Sequence, residues 1–108
     1  MMNRTRKGTQ GERDVRRWLE DQGFEVYRST CSAGTFDLIG FRIVETDTGS
    51  RIEVRAVQVK RFGKKRSYGR KALLAKLGEW SGFAWITPIL AERQDRHEWR
   101  YDCATPQS

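Results

Sequence analysis

One histidine, two cysteines and two prolines occur in the 108 residues, and no apolar run approaches the length of a bilayer-spanning helix. Cys31 and Cys103 are too few for a disulfide framework or a zinc quartet, so they read as reduced thiols of a cytoplasmic protein. The single histidine, His97, lies in the last alternating segment, away from the acids, and reads as structural rather than as a ligand. There is no glycine-rich phosphate loop, hence no expected nucleotide cofactor. The basic start MMNRTRKGTQ is not followed by an apolar region, which speaks against a secretory signal. No basic amphipathic tail stands apart either, so no membrane partner is expected. Acid is scarce relative to base: 14 Asp and Glu face 21 Lys and Arg, a net charge of +7 with a pI near 9.9. Such a surplus favours a polyanion, and nucleic acid is the commonest one.

A chain this short makes one domain with one modest core. Four Trp, five Phe and three Tyr can supply its bulk, although hydrophobic residues make up 37%. Residues 9–23 predict a first helix, with Thr9 as its cap, Glu12 as capping-box partner and Gly23 at its end. Residues 1–7 then form a basic arm. Residues 24–29 alternate as a strand, 31–35 make a small-residue loop, and 36–44 make a second strand. ETDTGS (45–50) turns into a third strand that runs to Lys60. Residues 60–76 hold eight Lys and Arg and no acid. A loop there leads into a second helix within 67–82, with Leu73, Leu74, Leu77 and Trp80 inward. Residues 83–90 predict a strand, placed at an edge or ending near Pro88. A turn at 91–96 precedes a half-buried strand over 97–103, and 104–108 fray. The order αβββαββ predicts an α/β protein: a central mixed five-stranded sheet flanked by helices.

Three of these elements put a polar group on an apolar face. Glu12 lies on the inner stripe of the first helix, and Asp37 shares a strand face with Ile39, Phe41 and Ile43. Gln58 and Lys60 end the apolar face of the third strand, where burial of an amide and an ammonium is costly unless something uses them. Each has a plain alternative: Glu12 as a cap, Asp37 solvated at a strand start, Lys60 snorkelling from a strand end. Together they suit a divalent cation. Asp37 supplies a carboxylate, Gln58 an amide oxygen and Val59 a backbone carbonyl, a donor set that Mg²⁺ accepts, with Mn²⁺ able to substitute. Lys60 can orient or deprotonate an attacking water, or neutralise charge developing on phosphorus. The basic run with Arg61, Lys64, Lys65, Arg66 and Arg70 would hold the phosphate backbone. Phe62 and Tyr68 are the aromatics placed to stack on unpaired bases.

The string Lys7-Gly8, Glu12-Arg13, Arg28-Ser29, Ser32, Asp37-Leu38 and Gln58-x-Lys60 resembles the PD-(D/E)xK nuclease superfamily. More narrowly it is similar to the archaeal-type Holliday-junction resolvases, from about Arg6 to Cys103. Gln58 departs from their Glu-x-Lys, although Mrr-type nucleases resemble this chain there. The resemblance implies a restriction-endonuclease-like fold and metal ligation by Asp37 and position 58, with Glu12 in support. It implies a catalytic Lys60, and a catalytic or DNA-positioning role for Ser32. Arg6, Lys7, Arg13, Arg28 and Ser29 would contact DNA. It further implies a homodimer that cuts two opposed strands of a four-way junction. The alternatives are cleavage of linear duplex by an Mrr-like enzyme, or an inactive DNA-binding module of the same fold. A neutral residue at 58 predicts weaker metal binding, and Glu53 is no substitute because its parity points it to the opposite face.

Overall fold

The computed structural model describes residues 2–28, 36–62, 69–82, 86–94 and 97–104, with side chains from residue 10 onward. Helix α1 (Met2–Glu20) leads into strands β1 (Glu25–Arg28), β2 (Leu38–Thr46) and β3 (Gly49–Phe62). Helix α2 (Arg70–Gly78) then precedes β4 (Ile86–Gln94) and β5 (Arg100–Cys103). The strands lie side by side in chain order, antiparallel except for the parallel β3–β4 pair. The α/β order αβββαββ is therefore observed.

Strand parity separates two cores. On one face Val15 and Leu19 of α1 pack with Phe24, Val26, Leu38, Val57, Ile89 and Ala91. On the other, Leu77 of α2 meets Leu90 and Ala104, with Phe36, Leu73 and Leu74 against them. Covering both faces explains why Ala56 and Val57, adjacent in β3, are both buried. Trp18 and Tyr101 stack on the α1 face at 3.7 Å between ring centroids. Burial, and then the nearby Asp14 charge, push the Tyr101 phenol up to about 12.

The first helix is longer than its sequence signals suggest. Thr9 lies within α1, so it is no cap, and the expected arm over 1–7 is helical from Met2. No proline interrupts this stretch, and extending an existing helix is far easier than nucleating one. The end is as expected. Gly23 has φ 92°, its N–H donates to Glu20 O at 3.0 Å, and Phe24 N–H donates to Leu19 O at 3.2 Å. These are the two bonds of a Schellman ending, and Leu19 and Phe24 continue into the first core.

Other boundaries shift as well. β2 and β3 extend to a two-residue turn at Asp47–Thr48, closed by Thr46 paired with Gly49. Helix α2 begins at Arg70, after Gly69 at φ 74°. Trp80 remains 40% exposed, and Cys103 is exposed despite its place in the alternation. Pro88 is neither at a sheet edge nor at the end of its strand: it pairs with Ala56 inside β4. Its carbonyl accepts from Ala104 N–H, just beyond the last β4–β5 ladder pair, so its missing donor faces the side where pairing stops. Ala104 is thus buried rather than frayed. Finally, residues 91–94 continue β4 instead of turning, because the one charged residue among them that is fully buried, Glu92, has a cationic partner.

Candidate active site

Antiparallel pairing of β2 with β3 sets Leu38 against Val57, which places Asp37 beside Gln58. Asp37 is held there by its own N–H, which donates to Val57 O at 2.8 Å. Its Oδ2 accepts from Gln58 Nε2 at 3.0 Å and from Val59 N–H at 2.8 Å. The two acceptances fix the carboxylate and leave Oδ1 without a hydrogen-bond partner among the described residues. Gln58 shares its face with Leu90 by register, and so with the core under α2. Lys60, two residues on, projects from that same face. Asp37, Gln58 and Lys60 therefore share one side at one end of the sheet. All three are half-buried.

Glu12 arrives from the other layer. It caps nothing, since the helix extends ten residues before it. Its Oε1 takes Arg28 Nε at 2.7 Å, and its side chain is 20% exposed. Burial raises its pKa above the usual 4.5, Arg28 opposes this, and the Asp37 charge adds to the rise. The carboxylates of Glu12 and Asp37 thus feel one another across the end of the sheet. For an acid with a raised folded pKa, the stabilising share is complete below 4.5 and disappears as pH rises through the folded value. Glu12→Gln removes that ionisation. Its melting temperature should exceed that of the wild type at pH 7, and the difference should vanish below pH 4.5. Parallel melts across pH check this, and an equal difference at every pH would contradict it.

A cavity of about 170 Å³ opens beside Leu38, lined by Glu12, Arg13, Arg16 and Arg28. Arg13 and Arg28 were expected near DNA. Arg16 was not, although its position one turn beyond Glu12 and Arg13 puts it on their side of the helix. Arg61 approaches Gly11, where an added Cβ would sit 3.1 Å from its Cδ. Arg70 is placed differently from expectation. Its Nε donates to Glu92 Oε1 at 2.7 Å and its Nη2 to Asp102 Oδ2 at 2.5 Å, the geometry of an internal tie from α2 to β4 and β5. Glu92 itself went unrecognised, because a polar stretch reads as a turn unless the buried partner is foreseen. Glu53 binds Arg42 at 2.7 Å and takes no part in the site. Arg6 and Lys7 lie in α1, with side chains outside the described set. Ser29, Ser32, Lys64, Lys65, Arg66 and Tyr68 lie outside the described residues.

The donors at Asp37 fit a hard cation. Gln58 turns its nitrogen to Asp37, which directs its Oε1 elsewhere, and Oδ1 of Asp37 takes no bond from a described residue. Oxygen donors carrying one full charge agree with what Mg²⁺ takes from a protein. Among the described residues no three His, Cys, Asp or Glu side chains gather as a metal cluster. A cation held there would have few protein oxygens and would keep several waters.

Comparison with known proteins supplies the family. The model of the archaeal Holliday junction resolvase (Hjc) family matches residues 3–105. No curated protein matches the chain. Among solved structures, the chain is similar to the 1.6 Å structure of Archaeoglobus fulgidus Hjc, a Holliday junction resolvase from an archaeal hyperthermophile. The TM-score is 0.53 at 23% identity, over 91% of this chain and 73% of that one, which shows a shared fold. With the family model matched along almost its whole length, this chain belongs to the archaeal Holliday junction resolvase family.

Proposed function

We propose that the protein is a divalent-metal-dependent endonuclease that resolves four-way DNA junctions. The observation that carries this reading is the anchored Asp37 carboxylate, with Gln58 and Lys60 on its face and family membership behind it. Asp37, the Gln58 amide oxygen and the Val59 carbonyl would hold the cation, with Glu12 in support. Mg²⁺ held there would supply Lewis-acid chemistry for phosphodiester hydrolysis, and Mn²⁺ would suit the same donors. Lys60 donates hydrogen bonds to the charge that develops as the phosphodiester is attacked. Asp37, held by two donors, keeps its free oxygen in one place through that step. Arg13, Arg16 and Arg28 around the cavity, and Arg61 beyond, engage phosphates. The basic segment with Lys64, Lys65 and Arg66 extends that surface, and Ser32 lies in the chain between Arg28 and Asp37. Metal-free binding tests the substrate: a synthetic four-way junction should compete at least about tenfold better than linear duplex of equal length. Equal competition would favour a linear-duplex enzyme.

A second copy of the chain is the expected partner. Tyr27, Phe41, Ile43 and Ile52 are 57, 39, 70 and 57% exposed. Register puts them together on the α2 face of the sheet, over the strands that α2 itself leaves uncovered, where they line a cavity of about 520 Å³. Contiguous apolar surface of this kind marks a contact face, and paired cleavage of opposed strands needs two sites. Ile43→Glu should convert a dimer to a monomer in light scattering, with its circular dichroism retained. An unchanged mass would place the contact elsewhere.

A further inference from the structure

Glu92 is the buried charged residue among those described, at 3% exposure. Burying a carboxylate costs several kcal/mol even when it is paired, so its location asks for a reason. Parallel register pairs it with Lys60, and the two share the face that carries Asp37, Gln58 and Leu90. Such neighbours lie about 4.8 Å apart, well within the length of a lysine side chain. Lys60 has no hydrogen bond or ion pair with a described residue. Among the described residues, the charged groups at this end of the face are Asp37, Glu92 and Asp102 against Lys60, Arg70 and Arg100. Asp102 is occupied by Arg70 and lies 3.9 Å from Arg100, and Asp37 takes its two donors on Oδ2. Arg70 Nε binds Oε1 of Glu92 and holds the carboxylate over the sheet. Position 58, the other nearest neighbour of Lys60 on this face, is neutral in this chain.

We infer that Glu92 is a positioning residue for Lys60: a buried carboxylate on β4, steadied by Arg70, that draws in the ammonium and fixes it at the cleavage site. It thereby provides the negative charge that Gln58 does not. Half-buried Asp102 also takes Arg70, so Glu92 shares that tie to α2 and in addition faces Lys60 by register. The inference rests on the proposed role of Lys60 in cleavage.

The test compares wild type with Glu92→Gln, Glu92→Asp, Lys60→Ala and the double variant Gln58→Glu with Glu92→Gln. In metal-free protein, a proton–nitrogen correlation spectrum of the lysine ammonium groups, recorded cold, detects those held in hydrogen bonds. The Lys60 signal, assigned by its loss in Lys60→Ala, should be present in wild type, absent in Glu92→Gln and restored in the double variant. Single-turnover junction cleavage should fall about 100-fold in Glu92→Gln, as for a misplaced catalytic group, with junction affinity kept. The double variant should recover most of that loss. Should Glu92→Gln not fold, Glu92→Asp keeps the charge and withdraws it by one methylene, and must also lose the signal and the rate. An unchanged Lys60 signal and rate in the Glu92 variants, with Lys60→Ala inactive, overturns this inference alone. An active Lys60→Ala overturns the cleavage site as well.

Discussion

Asp37→Asn and Lys60→Ala should each reduce junction cleavage by at least about 10³-fold, about 4 kcal/mol of transition-state stabilisation. Asn keeps the shape of the side chain and can still accept from Gln58 and Val59 through its oxygen. What it loses is the charge that would attract the proposed cation, so the fold should survive and the chemistry should not. Lys60 is half-buried without a bond to a described residue, and its truncation removes little that holds the sheet together. Junction affinity should stay within about twofold for both, since phosphate contacts come from many basic side chains. Gel-shift titrations beside single-turnover cleavage separate the two effects. Cleavage near the wild-type rate in either variant would move the site elsewhere.

The larger consequence of the structure falls on Gln58. In the free protein its amide nitrogen donates to Asp37 at 3.0 Å. Gln58→Glu replaces that donor with a second carboxylate facing the first, which destabilises the metal-free protein by about 1–3 kcal/mol. The same charge strengthens attraction to a hard cation. Melting temperature should therefore fall without Mg²⁺ and recover on its addition, and cleavage at limiting Mg²⁺ should rise or persist. Gln58→Leu loses both the donor and the oxygen and should lose metal-dependent cleavage. A Gln58→Leu protein with the wild-type Mg²⁺ titration curve would remove Gln58 from the metal site and leave it as a support for Asp37.

Much of this site was legible because β parity is a strict two-residue period. Once residues 36–44 and 51–60 alternate, the coincidence of Asp37, Gln58 and Lys60 on one face follows from counting. The opposite orientation of Glu53 follows in the same way, and it is bound to Arg42 as that parity requires. Glu12 was visible from helical spacing, but its partner Arg28 is distant in sequence and local signals pointed to a cap instead. The start of α1 was misread for a related reason. Capping preferences are weak, and an acceptable cap inside a longer helix leaves no mark of its own. Glu92 was the least legible. A charged residue in a polar run reads as a turn, and the docking of a partner distant in sequence, Arg70 of α2, helps make its burial tolerable. The two acids that Arg70 faces were equally hidden, since a basic run suggests phosphates and gives no sign of them.

Metal-dependent scission of a labelled four-way junction tests the central claim most directly. Wild-type protein and Asp37→Asn are incubated with the junction in Mg²⁺, Mn²⁺ or EDTA, with linear duplex of the same sequence alongside. The account predicts paired nicks in two opposed strands with Mg²⁺ or Mn²⁺, none with EDTA or with Asp37→Asn, and little cutting of the duplex. Junction cleavage that persists in EDTA, or in Asp37→Asn at the wild-type rate, would contradict it.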